Sequence, residues 1–320
     1  MEFMDGSLKN YIDELKQNNL YGKLSFEEQE IIEKELKNSV ETFSHNIEKE
    51  LGSNLHGVQL KFNDNVELKI DSCLIPDSVY RGIIHCSRLL IIANYQMFYG
   101  MDYANIVVDG KNIDNIKFLL FNMSMMCMFY HEIAHIYRGH LNLYKQWKEQ
   151  RSIEQHFLDI QTLEWDADSY AATQIAAWVE QINHEVLYLD KTDFSMKIAA
   201  GAIHGMMYWQ RANTDYDEIH KKEHPPIFYR EISMFNCIGE LHSNMKRIME
   251  YIKGYENEFN KLRGNKYFDS RRYFMGSKEN ASWIKNIEDN WKVVKSWLRK
   301  FSIMPLDDID SLQIKKHCKN

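Results

Sequence analysis

The chain has 320 residues, 44% hydrophobic and 27% charged, a balance that suits a folded protein with a substantial core and excludes a largely disordered one. Its net charge of −7 comes with Lys and Arg scattered among acids, which excludes a basic stripe and with it a nucleic-acid partner. Five cysteines are odd in number and widely spaced, with no C-x-x-C pair; that pattern excludes a disulfide framework or a cysteine zinc site and is expected of a reducing cytoplasm.

Two amphipathic helices are expected first, over residues 7–20 and 26–51. The second is preceded by Ser25 and carries Glu28 three residues on, the spacing of a capping box. From His56 to Ile70 the pattern changes to short alternation. Val58-Gln59-Leu60-Lys61-Phe62 and Val66-Glu67-Leu68-Lys69-Ile70 flank Asn63-Asp64-Asn65, and that turn chemistry predicts a hairpin. Pro76-Asp77-Ser78 suits the start of a helix running through Arg88 to about Tyr95. Asn105-Ile106-Val107-Val108-Asp109, stopped by Gly110, reads as a third strand.

Beyond Asn112 the sequence is helical throughout. The spacing predicts a long helix over 113–149 with a break near Gly139, a second over 152–184, a third near 194–211 and a fourth after Pro225-Pro226, where proline fits a first turn. Two tryptophan-bearing segments follow, around Trp283 and from Trp291 to Trp297. The most apolar run, Phe118 to Tyr130, is 13 residues long; a bilayer requires about 20, so it is expected to be a buried core helix, with no membrane insertion.

That run ends in His131-Glu132-Ile133-Ala134-His135. Positions i and i+4 of a helix lie one above the other, so His131 and His135 project side by side and can grip one ion. Glu132 is turned about 100° from His131, where it can reach a metal-bound water and serve as general base. This is the physical basis of the H-E-x-x-H zinc site.

A catalytic zinc takes three protein ligands and water, so a third must come from elsewhere. His140 lies nine residues after His131, about 900° along a straight helix and therefore on its opposite face. It is expected to be a surface residue or to stand behind the ligands. The metzincin pattern is excluded, since Arg138 and Leu141 occupy the places where it requires glycine and histidine. Glu164 is the better candidate. It stands at i, i+4 with Asp168, and Ala167, Ala171 and Ala172 allow that helix to approach the motif closely. A second carboxylate, Asp168, can then hold the distal nitrogen of a ligand histidine. Cys127, one turn before His131, is expected to be a buried structural thiol.

His131-Glu132-Ile133-Ala134-His135 followed by Glu164-x-x-Ala167-Asp168 resembles the gluzincin pattern of the HtpX and CaaX-processing type of peptidase and of compact minigluzincins. The resemblance implies that Glu164 is the third zinc ligand and that Asp168 braces a ligand histidine. His224-Pro225-Pro226-Ile227-Phe228-Tyr229-Arg230 is similar to the H-P-x-x-x-x-R element of the same group, and implies a place for His224 and Arg230 near the substrate cleft, in catalysis or in bracing the site. His204, Tyr208 and Tyr229 are further candidates as donors to an oxyanion. The stretch His131 to His140 also resembles the Lit-type phage-exclusion peptidases, which implies a bacterial phage-defence setting.

The expected architecture is α+β and mostly α: a helical metallopeptidase core with a small antiparallel sheet on its N-terminal side. Its regions are N-terminal helices over 1–55, a zincin-like catalytic domain over 56–255 and a helical extension over 256–320. The expected activity is zinc-dependent endoproteolysis of a protein or peptide substrate. The alternative is a metal-binding regulatory or interaction protein on the same fold, with weak or absent turnover.

Overall fold

The computed structural model describes residues 25–50, 57–65, 67–78, 81–101, 113–147, 153–182, 191–208, 223–242 except 226, 250–258 except 256, and 278–306 except 305. The helix expected over 7–20 and the strand expected over 105–109 lie outside the described residues.

Helix α1 (Phe26–Glu50) starts where its sequence directs. The Ser25 amide donates to the Glu28 carboxylate at 2.7 Å and the Glu28 amide donates to Ser25 Oγ at 3.2 Å, the reciprocal pair of a capping box. Its apolar stripe, Ile32, Leu36 and Val40, is buried.

Strands β1 (Val58–Asn63), β2 (Ile70–Leu74) and β3 (Gly82–Ser87) form one sheet in the order β1-β3-β2. β1 runs parallel to β3, with Val58 opposite Gly82, and β2 runs antiparallel to it, with Ile70 opposite Cys86. The sheet is therefore mixed, not antiparallel, and β1 and β2 do not form the expected hairpin. The reason lies in 82–87, which the sequence reading placed inside a helix beginning at Pro76. Gly82, Ile84, Cys86 and Ser87 are buried, whereas β1 and β2 keep exposed positions; the most buried strand takes the centre, where both of its edges are paired. Pro76-Asp77 forms the turn between β2 and β3 instead, with Asp77 at a φ of 61°, a left-handed conformation that Asp tolerates.

The helix begins only at Ser87, whose hydroxyl accepts the Leu90 amide at 3.1 Å and caps α2 (Arg88–Gly100). Arg88 then ties three segments together, donating from Nε to Glu33 at 2.6 Å and from Nη1 to Asp64 at 2.9 Å.

The remaining helices are α3 (Ile113–Tyr137), α4 (His140–Trp147), α5 (Ile153–Ile182), α6 (Lys191–Tyr208), α7 (Ile227–His242) and α8 (Lys278–Leu298). The chain is α+β and mostly α, as its sequence implied. α3 is the central element. Met123, Met125, Met126, Cys127, Met128, Phe129 and Tyr130 are all buried, and a helix apolar on every side belongs inside a protein. It packs against α2, α5, α6 and the sheet. Among the described residues, no helix is long and apolar enough to cross a membrane.

Two glycines set how α3 meets its neighbours. A Cβ on Gly82 would stand 2.4 Å from Cδ1 of Ile136, so glycine is what lets β3 lie against the motif helix. Gly139 has a φ of +80° and ends α3 by turning the chain, the usual place for glycine after a helix. The terminal carbonyl of Tyr137 is then satisfied from far along the chain, by the Ile303 amide at 3.0 Å.

α8 closes the other side of α5. Trp283 Nε1 donates to Gln161 at 2.9 Å, and Asn290 Nδ2 donates to Asp159 at 3.0 Å and to Thr162 at 2.9 Å. Beside these bonds Leu143, Trp147, Leu163, Val294 and Leu298 form a separate apolar cluster.

Candidate metal centre

α3 delivers His131, Glu132 and His135 on its last two turns, and α5 delivers Glu164 against them. His131 and His135 Nε2 are 3.0 Å apart. Glu164 Oε2 lies 3.5 Å from His131 Nε2, and its Oε1 lies 3.4 Å from His135 Nε2. All three side chains are buried or nearly so. Among the described residues, this is a group of His and carboxylate ligands that could hold a metal ion. Helical i, i+4 stacking explains the two histidines, and the small residues Ala167, Ala171 and Ala172, all buried, explain why α5 can come close enough to bring the carboxylate.

Each side chain of the group has a partner behind it. His131 Nδ1 is 2.9 Å from Asp168 Oδ1, the place the sequence assigned to Asp168. Arg230, from α7, grips Asp168 with both arms of its fork, Nε at 2.7 Å and Nη2 at 2.8 Å. The same Nη2 is 3.4 Å from Glu164. His224, at the entry to α7 and 67% exposed, sets its Nδ1 3.1 Å from Glu164 Oε2. The three sequence motifs thus converge on one point.

The charges at this point hold one another. Burial disfavours the ionised form of Glu164, but the charge of His224 and hydrogen bonds from His131, His135 and His224 outweigh it and hold the carboxyl well below the usual carboxylate range. Burial likewise opposes charge on His131, yet its bonds to Asp168 and Glu164 push its pKa up to about 10. Asp168 is lowered against the penalty of burial by the Arg230 guanidinium, by the hydrogen bonds it receives from Arg230 and His131, and by the charge of His131. The charge of Glu164 raises His224.

Glu132 differs. The residue is 8% exposed, and among the described residues no protein group hydrogen-bonds to its carboxylate.

His140 takes the second of the two places the sequence left open for it, behind the ligands, and reaches it by a route the straight-helix argument did not foresee. It is neither at the surface nor on the far side of a continuous helix: it is 1% exposed, and its Nδ1 is 3.1 Å from Nδ1 of His135. The turn at Gly139 ends the 100° advance per residue on which the opposite-face argument depended, and the new helix starts with His140 facing back. Its Nε2 is 2.9 Å from Asp166 Oδ2. Asp166 in turn receives Arg138 Nε at 2.6 Å and Nη2 at 3.0 Å. Sequence reading passed over both Asp166 and Arg138; the available signal was the break at Gly139, with a charged residue on one side and His140 on the other. Burial, only partly offset by Asp166, pushes the His140 pKa down to about 4.

Other candidates are turned elsewhere. Tyr229 is buried and stacks on Trp283 at 4.8 Å. His204 pairs with Glu231 and packs on Phe235. Tyr208 is buried in the core. Burial pushes the Cys127 thiol well above its ordinary pKa, away from the thiolate that binds metal, which suits its structural role.

No curated protein and no solved structure matches the chain. A family model does. Residues 108–252, a little under half of the chain, match Peptidase U49, and that span holds all three motifs: His131 to His135, Glu164 with Asp168, and His224 to Arg230. Over its helical core the chain is similar to Peptidase U49, which supports a peptidase, a hydrolase acting on protein.

Proposed function

We propose that the chain is a zinc-dependent endopeptidase whose ion is held by His131, His135 and Glu164, with Glu132 as general base. The observation that carries this reading is the spacing of the ligand atoms. Bonds of about 2.0–2.1 Å in a tetrahedron set ligands about 3.3 Å apart; the two Nε2 atoms are 3.0 Å apart, one Glu164 oxygen lies 3.5 Å from His131 and the other 3.4 Å from His135, and one donor atom from each residue lies within 4.8 Å of the others. Two imidazoles and a carboxylate are also a donor set that zinc accepts in catalytic sites.

The ion, when bound, lowers the pKa of water and polarises the scissile carbonyl. Glu132 accepts the proton of the attacking water and passes it to the nitrogen of the departing amine. Its freedom from protein hydrogen bonds suits that task, because a carboxylate already saturated with donors is a poor base. Asp168 keeps His131 oriented through Nδ1 and raises its basicity, and Arg230 holds Asp168. Arg230 therefore braces the site rather than meeting substrate. His224 is the exposed donor at the mouth; with Nδ1 on Glu164 its other ring nitrogen is left for the oxyanion of the tetrahedral intermediate. A bacterial phage-defence setting belongs to the same proposal and rests on the resemblance of residues 131–140.

The test is Glu132→Gln. The variant is expected to bind one zinc per chain and melt as the parent does while losing about 10²- to 10⁴-fold in peptide hydrolysis, read by proteome-wide cleavage and by elemental analysis. Undiminished cleavage would remove Glu132 from the mechanism, and a parent chain without stoichiometric metal would remove zinc.

A further inference from the structure

Behind His135 stands a chain of three groups that the ligand set does not require: His140, Asp166 and Arg138. All are buried, with exposures of 1%, 0% and 2%, so water does not compete for their bonds. His131 has a carboxylate directly against its Nδ1. Among the described residues His135 has no carboxylate at that position; it has the ring of His140, 3.1 Å away, nitrogen to nitrogen.

The proton positions follow from hydrogen-bond logic. A histidine that offers Nε2 to a metal keeps its proton on Nδ1. His135 Nδ1 is then a donor, and His140 Nδ1 must accept. A neutral ring that accepts at Nδ1 carries its proton at Nε2. That nitrogen is 2.9 Å from Asp166 Oδ2, a carboxylate held in place by both arms of Arg138. Every contact thus has one donor and one acceptor. The other tautomer of His140 would set N–H against N–H at His135 and a bare nitrogen against a carboxylate.

From this arrangement, and resting on the metal-centre reading above, we infer that His140 is a positioning residue: it fixes the orientation and tautomer of His135, with Asp166 and Arg138 holding it from behind. The two ligand histidines are thereby braced by parallel devices. On one side the order is His131, Asp168, Arg230; on the other it is His135, His140, Asp166, Arg138, with an imidazole inserted between histidine and carboxylate. The left-handed turn at Gly139 makes the second brace. A Cβ there would stand 2.5 Å from Cβ of Phe301, so the segment after α8 holds the turn that presents His140.

Zinc affinity, measured by competition with a chromogenic chelator, tests this on the parent chain, His140→Phe and His140→Asn. Losing such a partner is expected to weaken zinc binding about 10- to 100-fold in His140→Phe, and His140→Asn, which restores an acceptor near Nδ1, should recover most of the loss. Long-range ¹H–¹⁵N spectra of the zinc-loaded parent chain need no variant; they should show His140 protonated at Nε2 and bare at Nδ1, with His135 protonated at Nδ1. Affinity of His140→Phe within twofold of the parent, or a proton on His140 Nδ1, overturns the inference while leaving the metal centre standing. A parent chain that takes up no zinc overturns both.

Discussion

Along α5, Asp159 and Glu164 are five residues apart and both are buried, yet their surroundings differ in kind. Asp159 faces α8, where its Oδ1 accepts the side-chain amides of Gln155 at 2.7 Å and Asn290 at 3.0 Å. Glu164 faces α3 and α7, where three imidazoles and a guanidinium stand 3.1–3.5 Å from its oxygens. The amides around Asp159 are neutral, they point at one oxygen, and two helices are joined. The groups around Glu164 are cationic or can be, and the nitrogens of His131 and His135 point at a shared space rather than at the carboxylate alone. A buried acid is therefore not by itself a sign of chemistry. What distinguishes the second face is convergence: two imidazoles and a carboxylate each bring a donor atom within 4.8 Å of the others.

The largest effect should come from taking the positive charge out of that second face. In Arg230→Met, Asp168 loses both arms of its guanidinium fork and Glu164 loses a neighbour at 3.4 Å. Breaking a buried ion pair on one side leaves an uncompensated charge and costs about 3–5 kcal/mol, which denaturant unfolding will register. A loss below about 1 kcal/mol would mean that Arg230 is not holding the carboxylates, and the contrast between the two faces would fail.

On the first face the expected loss is smaller and confined to stability. Asn290→Ala removes the donor to Asp159 and to Thr162, and stranding such groups costs about 1–3 kcal/mol. Zinc uptake and peptide cleavage, measured on the folded variant, should match those of the parent chain. If cleavage falls while the fold holds, the α5–α8 contact is part of the catalytic apparatus and the division of α5 into two faces is wrong.

Much of the second face was legible in the sequence, because its chemistry is carried by local periodicity. His131 and His135 share a helix face for the same reason that Glu164 and Asp168 do, and a 3.6-residue repeat can be read without knowing the fold. The helices were legible as well, since α3 is apolar on every side and Ser25 and Glu28 announce the start of α1. The sheet was not. Val58–Phe62 and Ile70 show alternation, but alternation gives no partner, and β3 was read as part of a helix because Pro76-Asp77-Ser78 suits a helix start. Pairing is decided by which strand the core buries, a non-local quantity. The turn that brings His140 behind His135 was not legible for a related reason. A single glycine at positive φ resets the helical phase, so an angle counted from His131 lost its meaning at residue 139. The first face of α5 was silent in the sequence, since Asn290 meets Asp159 across 131 residues and neither type at such a separation signals the other.

The smallest effect sharpens the same contrast. Gln155→Ala removes one of the two side-chain amides that, among the described residues, donate to Asp159 Oδ1, but Asn290 remains, and Gln155 is only partly buried, so water can replace it. A net hydrogen bond is worth about 1 kcal/mol, and the variant should lose no more than that. The informative quantity is the double variant with Asn290→Ala. If both amides serve one acceptor, each partly covers for the loss of the other, and the pair should lose more than the sum of the singles by at least about 0.5 kcal/mol. Additive losses would mean that the two amides act separately, so that Asp159 is not the hub joining α5 to α8. A coupled loss of stability with zinc affinity unchanged would show a buried carboxylate acting as a structural staple on the same helix that carries the candidate ligand.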